Sequence, residues 1–600
     1  MKRFVLFLLL LPLCAGAAAD ECDTVYVAEF GLRPYSYQNA VEGLRQAVEA
    51  CRERKARVLA FDAGRYDIWP EGAERREWFI SNTSTEEECP SKIKTIGLLL
   101  EELENLTVDG RGASLVFHGK MITVAVAHSR NITLRNLHID FERPGMSEMT
   151  YVSRDARGTT VRFHPDARYE TDPEGHIHLF GEGWRSNVYH CIEYDPRTER
   201  SVYSRGWEVL VSSKATPAGG REVLFETPDD FEPQIGNTLS VRDIIRDHVG
   251  VFLYESCDVT LRDVDVHYMH GLGIVSQYTR NITMQNVNCL PREGSGRLIA
   301  SSADFMHFSG CSGRISICDC RFAGAHDDPV NVHGTNLRAV ERLADNRLRL
   351  RFMHGQSYGF RAFSAGDTVA FVRAATMERF ASARVEAAER VSDREVDVTF
   401  DRAVPGDIII GSDCVENMTC TPELEIRRCR FERTNTRGTL VTTPRKAVIA
   451  DNVYCKTGMS AILVEADAEG WFESGPVCDL TIENNTFIDC AYLGGPSRAV
   501  IAFNPSNRII DASRPVHRNI TIRGNRFVTH GNPVLYAKST ADLLFENNDI
   551  AVGPADGTIA TSDEAAAAMF GRDFSRKLPD SLFITEGCRR LKIRNNRIAE

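Results

Sequence analysis

The chain has 600 residues, 43% of them hydrophobic and 26% charged, with a formal net charge of −12. That length and apolar content are enough to bury a large core, and no internal run is apolar enough to span a membrane. The acidic balance disfavours nucleic acid and polyanionic glycans as partners.

Lys2-Arg3, the apolar run from Phe4 to Leu13 and the small residues Ala17-Ala18-Ala19 predict a signal peptide over residues 1–19, and hence a periplasmic or secreted protein. A lipid anchor on Cys14 is the alternative, but bulky Leu13 stands where a small residue is usual before a lipidated cysteine. Cleavage removes Lys2 and Arg3 and no acid, which moves the net charge from −12 to −14. None of the cysteines beyond the peptide forms a Cys-x-x-Cys pair. Several, including Cys257, Cys318, Cys320 and Cys429, fall on strand positions, which points to buried thiols or some disulfides rather than zinc.

Over residues 20–148 the chain builds a cap and its first repeats. Val41, Leu44, Val48 and Cys51 have helical spacing within Asn39 to Arg54, which predicts an amphipathic helix covering the open end of a stack. One short strand pattern then recurs, as in Leu106-Thr-Val108, Asn131-Ile-Thr-Leu134, Val259-Thr-Leu261, Asn281-Ile-Thr-Met284, Leu424-Glu-Ile426, Leu480-Thr-Ile482 and Asn519-Ile-Thr-Ile522. The bare period is 23 residues from Val259 to Ile282 and 24 from Leu424 to Val448. A unit this short cannot bury its own apolar face, whereas a stack of them shares one continuous core. The expected fold is all-β, a right-handed parallel β-helix. In such a stack Asn131, Asn281 and Asn519 read as coil-corner asparagines rather than glycosylation acceptors. The repeat lapses over residues 149–241 and 337–410, where alternating strands such as Thr160-Val-Arg-Phe163 and Leu348-Arg-Leu-Arg-Phe352 predict two small antiparallel β-barrels inserted between coils. Candidate catalytic coils fill 242–336, and further coils run over 411–600.

Within the middle coils, Asp304-Phe-Met-His-Phe-Ser-Gly310 lies over Asp328-Pro-Val-Asn-Val-His-Gly334 at an offset of 24 residues. Adjacent coils are ~4.8 Å apart, so Asp304 and Asp328 stack, with Asp327 beside them in the chain. Nothing structural is gained by crowding three carboxyls, which repel one another and raise at least one pKa. Glycosidic hydrolysis uses such a group: one protonated carboxyl for the leaving oxygen and an ionised one on the far side of the sugar. Asp327 is then the candidate acid, and Asp304 and Asp328 hold the attacking water. A calcium site is the competing use of three carboxyls, as in a polysaccharide lyase on the same scaffold. A glycan-binding protein without catalysis is the third reading. Val330 and Val332 read inward, so His307, Asn331 and His333 read outward as contacts for sugar hydroxyls. Arg437, Glu465 and Trp471 complete the candidate substrate site, the indole offering a flat face to a sugar ring.

The coil at Asp304 followed by His326-Asp327-Asp328-Pro-Val-Asn-Val-His333-Gly334 resembles the catalytic coils of polygalacturonase-type glycosidases. It lacks the Asn-Thr-Asp triplet and the Arg-Ile-Lys motif associated with galacturonate. From Phe30-Gly31 and the capping helix through the acidic coils to the terminal Asn-Asn coils, the chain is similar to glycoside hydrolase family 110, bacterial α-1,3-galactosidases acting on blood-group-B-type glycans. The resemblance implies a secreted or periplasmic inverting exo-enzyme that needs no cofactor or metal. It assigns Asp304, Asp327 and Asp328 to the chemistry and leaves branched versus linear α-galactoside preference and oligomeric state open.

Overall fold

The computed structural model describes residues 23–186, 190–243, 245–493, 499–553 and 581–599. The expected signal peptide over residues 1–19 lies outside them. The described chain is a parallel β-helix. Its longest ladder joins Leu106 to Ile132, Ile132 to Val259, Val259 to Ile282, Ile282 to Ile315 and Ile315 to Leu424, then runs through Ala447, Leu480 and Ile520 to Leu543. The 23-residue step from Val259 to Ile282 is therefore one coil. Leu424 pairs with Ala447 and not with Val448, which faces Glu425; that step is also 23 residues, and the expected 24 is one too many. Val448 is half-buried, whereas Ala447 is wholly buried.

Two repeated side-chain columns explain why these coils stack in one register. Inside the core, Phe322, Phe431, Tyr454, Phe487 and Phe527 occupy equivalent positions, with successive ring centroids 4.4 to 5.2 Å apart. At one corner, Asn485 Oδ1 accepts from the backbone N–H and side-chain amide of Asn452, and Asn525 does the same for Asn485. The column continues through Asn548 to Asn596. Asn131, Asn281 and Asn519 sit at other corners with φ of 52°, 56° and 55°, a left-handed conformation that asparagine tolerates better than most residues.

The helix Val41–Arg54 buries Val41, Leu44, Val48 and Cys51 against the first coil and caps the stack. Among the described residues no helix is long and apolar enough to cross a membrane. All fifteen described cysteines are free thiols.

Both interruptions of the repeat are antiparallel. In the first, seven strands between Met146 and Arg242 form an open order. Its core is closed by Trp207 and Leu210 of the helix Gly206–Val211 and by Ile177 and Leu179 of a three-stranded sheet, with no further strand pairing among the described residues. In the second, six strands close on themselves: Val330–Ala344, Arg347–Arg351, Glu395–Phe400, Glu378–Arg390, Thr368–Arg373 and Cys414–Asn417, the last returning to the first. The closing strand lies beyond the boundary expected at residue 410. Val330–Ala344 belongs to both bodies, its first residues pairing with the coil strand Thr439–Val441 and its later ones entering the barrel. The barrel is thereby anchored directly beside the acidic coil.

Candidate active site

Met306 pairs with Val330 and Ser309 with His333, which is the 24-residue offset of the sequence. Asp304 and Asp328 lie in the bends that enter these two strands, outside the strict alternation. Their backbones still continue the ladder, since Gly273 donates to the Asp304 carbonyl and Phe305 to that of Asp328. The three acids therefore belong to adjoining coils at one corner of the helix.

Each acid has a different partner. Asp328 is buried and accepts from the Arg437 backbone N–H at 3.1 Å and from its guanidinium at 2.8 Å. Asp327 is the most open, its side chain 24% exposed, and Arg246 Nη2 donates to it at 3.1 Å. Asp304 is buried, with Oδ2 2.8 Å from His307 Nδ1. Burial pushes the Asp304 pKa up to about 8, and the charge of Asp327 adds to the rise. Burial likewise raises Asp328, with Asp327 and Asp304 acting in the same direction and Arg437 opposing them.

The other expected contact residues are distributed differently. His307 and His333 do face away from the core, whose wall here is Met306, Phe308, Val330 and Val332. They are nevertheless 1% and 2% exposed, and all four of their ring nitrogens are engaged. His307 Nε2 lies 2.9 Å from His333 Nε2, and His333 Nδ1 lies 2.7 Å from the Gly334 carbonyl. They are thus buried neighbours of the acids with their ring nitrogens occupied, and Glu473 lies 3.6 Å from His333 Nε2. Arg437 is held by Asp328 through one guanidinium nitrogen, while its side chain stays 23% exposed and its Nε has no hydrogen-bond partner among the described residues. Asn331 is buried, and its Oδ1 has no protein partner among the described residues. Glu465 is half-buried and near enough to Arg437 to act on its charge.

Trp471 is 44% exposed and packs at a 31° tilt against His354 of the barrel, 4.0 Å between ring centroids. Its loop is shaped by Asp467, whose carboxylate accepts from the backbone N–H groups of Glu469, Gly470, Trp471 and Phe472. Among the described residues no group of three or more His, Cys, Asp and Glu side chains is arranged to hold a metal ion.

Two charged residues absent from the sequence expectations complete the surroundings. Arg246 comes from the segment that returns the first insertion to the helix. Glu473 comes from Glu473–Ser474, which pairs antiparallel with Gly334 and Thr335. A Cβ at Gly334 would stand 2.5 Å from Ser474 Oγ, so a larger residue there would have to turn that hydroxyl aside. Glu473 Oε1 accepts from Asn82 at 2.7 Å and lies 3.6 Å from His333 Nε2. The dense charged run from Arg242 to His248 was the only local signal for Arg246, and Glu473 had none.

Comparison with known proteins gives matches along most of the chain. Residues 147–239 match the domain described as GLAA-B beta-barrel domain I, and residues 347–414 match GLAA-B beta-barrel domain II. Alpha-1,3-galactosidase A of Bacteroides fragilis is 62% identical over 554 residues, 92% of this chain and 91% of that protein. Alpha-1,3-galactosidase B of Bacteroides thetaiotaomicron is 33% identical over 550 residues, 90% of this chain and 88% of that protein. Among solved structures, the family 28 exopolygalacturonase of Yersinia enterocolitica aligns with a TM-score of 0.40 at 11% identity, over 96% of this chain and 78% of that one.

Proposed function

The chain belongs to the α-1,3-galactosidases of glycoside hydrolase family 110, and we propose that it hydrolyses terminal α-1,3-linked galactose from blood-group-B-type or linear α-galactosyl glycans, with inversion. The observation that carries this reading is the meeting of Asp304, Asp327 and Asp328 at one corner of two adjoining coils, in a chain with galactosidase relatives along most of its length. Asp327, with the most open carboxyl, is the general acid that protonates the departing glycosidic oxygen. Asp304 and Asp328 hold and activate the water that attacks the anomeric carbon from the other side. Trp471, a residue 44% exposed, supplies an apolar face for a sugar of the acceptor chain.

Proton chemistry is favoured over a cation site because two of the acids are already matched to guanidinium groups, Asp327 to Arg246 and Asp328 to Arg437. Fixed positive charges at that distance repel a divalent ion. The predicted leader at residues 1–19 makes the periplasm or the exterior the place of action.

Incubation with galactose-α-1,3-galactose, a branched B-type trisaccharide and an α-1,4-galactoside, followed by assay of free galactose, tests the proposal. Release from the α-1,3-linked substrates supports it. An unsaturated, ultraviolet-absorbing product, or no release of sugar at all, overturns it.

A further inference from the structure

The two histidines beside Asp304 are not used by the chemistry above, yet they form an unbroken chain that ends on a backbone atom. The Gly334 carbonyl can only accept, so the His333 Nδ1 at 2.7 Å from it must carry hydrogen. A neutral His333 then has a bare Nε2, and the His307 Nε2 facing it at 2.9 Å must be the donor. A neutral His307 with hydrogen on Nε2 has a bare Nδ1. The remaining contact, 2.8 Å from that nitrogen to Asp304 Oδ2, is then a hydrogen bond only if Asp304 is the donor and holds a proton. Two other arrangements contain the same number of protons: a doubly protonated His307 paired with an ionised Asp304, and a charged His333, His307 with hydrogen on Nδ1, and an ionised Asp304. Both place opposite charges on side chains of residues that are each no more than 4% exposed, where ions are costly, and burial lowers His307 to about 4, which disfavours its doubly protonated form. The counter-charge nearest His333, Glu473, lies 3.6 Å from it and already accepts from Asn82.

We propose that His307 and His333 are positioning residues that keep the proton on Asp304, so that Asp328 alone takes the proton from the attacking water while Asp304 serves as a neutral hydrogen-bond partner. The inference rests on the function proposed above and divides the roles within its stacked pair. Asp328 suits the role of base because Arg437, through two hydrogen bonds, opposes the rise that burial imposes on it, an opposition that Asp304 does not receive from a hydrogen-bonded guanidinium among the described residues. Facing Asp304 are Asp327 and Asp328 from the next coil, Arg246 behind the first insertion, Arg437 from the following coil and Glu473 from the segment opposite. Their combined influence, dominated by burial, agrees with the tautomer chain: Asp304 is pushed up to about 8, His307 is lowered to about 4, and His333 is also lowered. The protonated form of Asp304 exists below its raised pKa and is lost as pH rises through it. The active form is therefore lost at an alkaline limb near pH 8.

Asp304→Asn and Asp328→Asn separate the two roles. In Asp304→Asn the new side-chain amide still donates to His307 and cannot titrate, so kcat falls less than about tenfold and the alkaline limb of kcat/KM disappears, whereas Asp328→Asn costs roughly 100- to 10,000-fold. Thermal unfolding checks that both variants fold. Independently, ¹⁵N spectra of histidine-labelled wild-type protein at pH 7, assigned with His307→Gln and His333→Gln, show His307 neutral with hydrogen on Nε2 and His333 neutral with hydrogen on Nδ1. A doubly protonated His307, a charged His333 with hydrogen on Nδ1 of His307, or an Asp304→Asn loss equal to that of Asp328→Asn, overturns the inference. Near-normal turnover by Asp328→Asn would instead sink the proposed function itself.

Discussion

Asp328 and Arg437 form a pair in which an almost wholly buried carboxyl accepts one hydrogen bond from the guanidinium and one from the arginine's backbone N–H. Replacing Arg437 with Met removes the group that opposes the rise of the Asp328 pKa. The ionised base would then be available only at higher pH, so the acidic limb of kcat/KM moves upward, a shift measurable in a pH–rate profile. Asp327→Asn is expected to lower turnover of an unactivated disaccharide roughly 100- to 10,000-fold. It should spare an aryl α-galactoside, whose leaving group needs little protonation, and equal losses on both substrates would remove Asp327 as the acid. Asp304 and Asp328 were legible in the sequence because they fall at matching points of two repeats, and Asp327 because it adjoins Asp328. Arg246 and Glu473 were not, since their contacts cross 81 residues to Asp327 and 391 residues to Asn82. His307 and His333 were read on the correct face of the strand. What covers that face is supplied by distant chain, and this turned two expected sugar contacts into neighbours of Asp304.

At the level of the coil, the asparagine column is a stability device with a specific chemistry. Asn485 accepts with Oδ1 from Asn452 and donates with Nδ2 to the Ile449 carbonyl and to Asn525. Asn485→Ala leaves these buried groups unpaired and should cost about 1 to 3 kcal/mol for each, measured by urea unfolding followed by fluorescence. Asn485→Asp should be at least as damaging, because a carboxylate has no hydrogen for those two acceptors. A neutral effect from either change would show that water replaces the column. The strand repeats themselves were visible from periodicity, but a single step was misjudged. In Ala447-Val448 the larger apolar residue faces outward and the small one inward, so hydrophobicity favoured the wrong member of the pair. A one-residue slip exchanges the two faces of a strand, and only the pairing of Leu424 with Ala447 resolves it.

Across the whole molecule, the helix supplies a stiff corner and the two insertions supply what surrounds it. One strand, Val330–Ala344, runs from the acidic coil into the closed barrel, so the position of the barrel is coupled to that of Asn331 and His333. The lapse of the repeat made both insertions legible. The closure of the second required strand Cys414–Asn417, whose four residues give no turn signal of their own. Because the acids are matched by arginine and histidine, treatment with a chelator should leave activity unchanged, and recovery of a lost activity by calcium would promote the lyase reading. The central claim is that these carboxyls direct a water molecule, and no covalent enzyme intermediate, at the anomeric carbon. Proton NMR of the first turnovers on galactose-α-1,3-galactose tests it most directly: β-galactose should appear first and mutarotate to the mixture, whereas α-galactose appearing first would identify a covalent nucleophile and contradict the account.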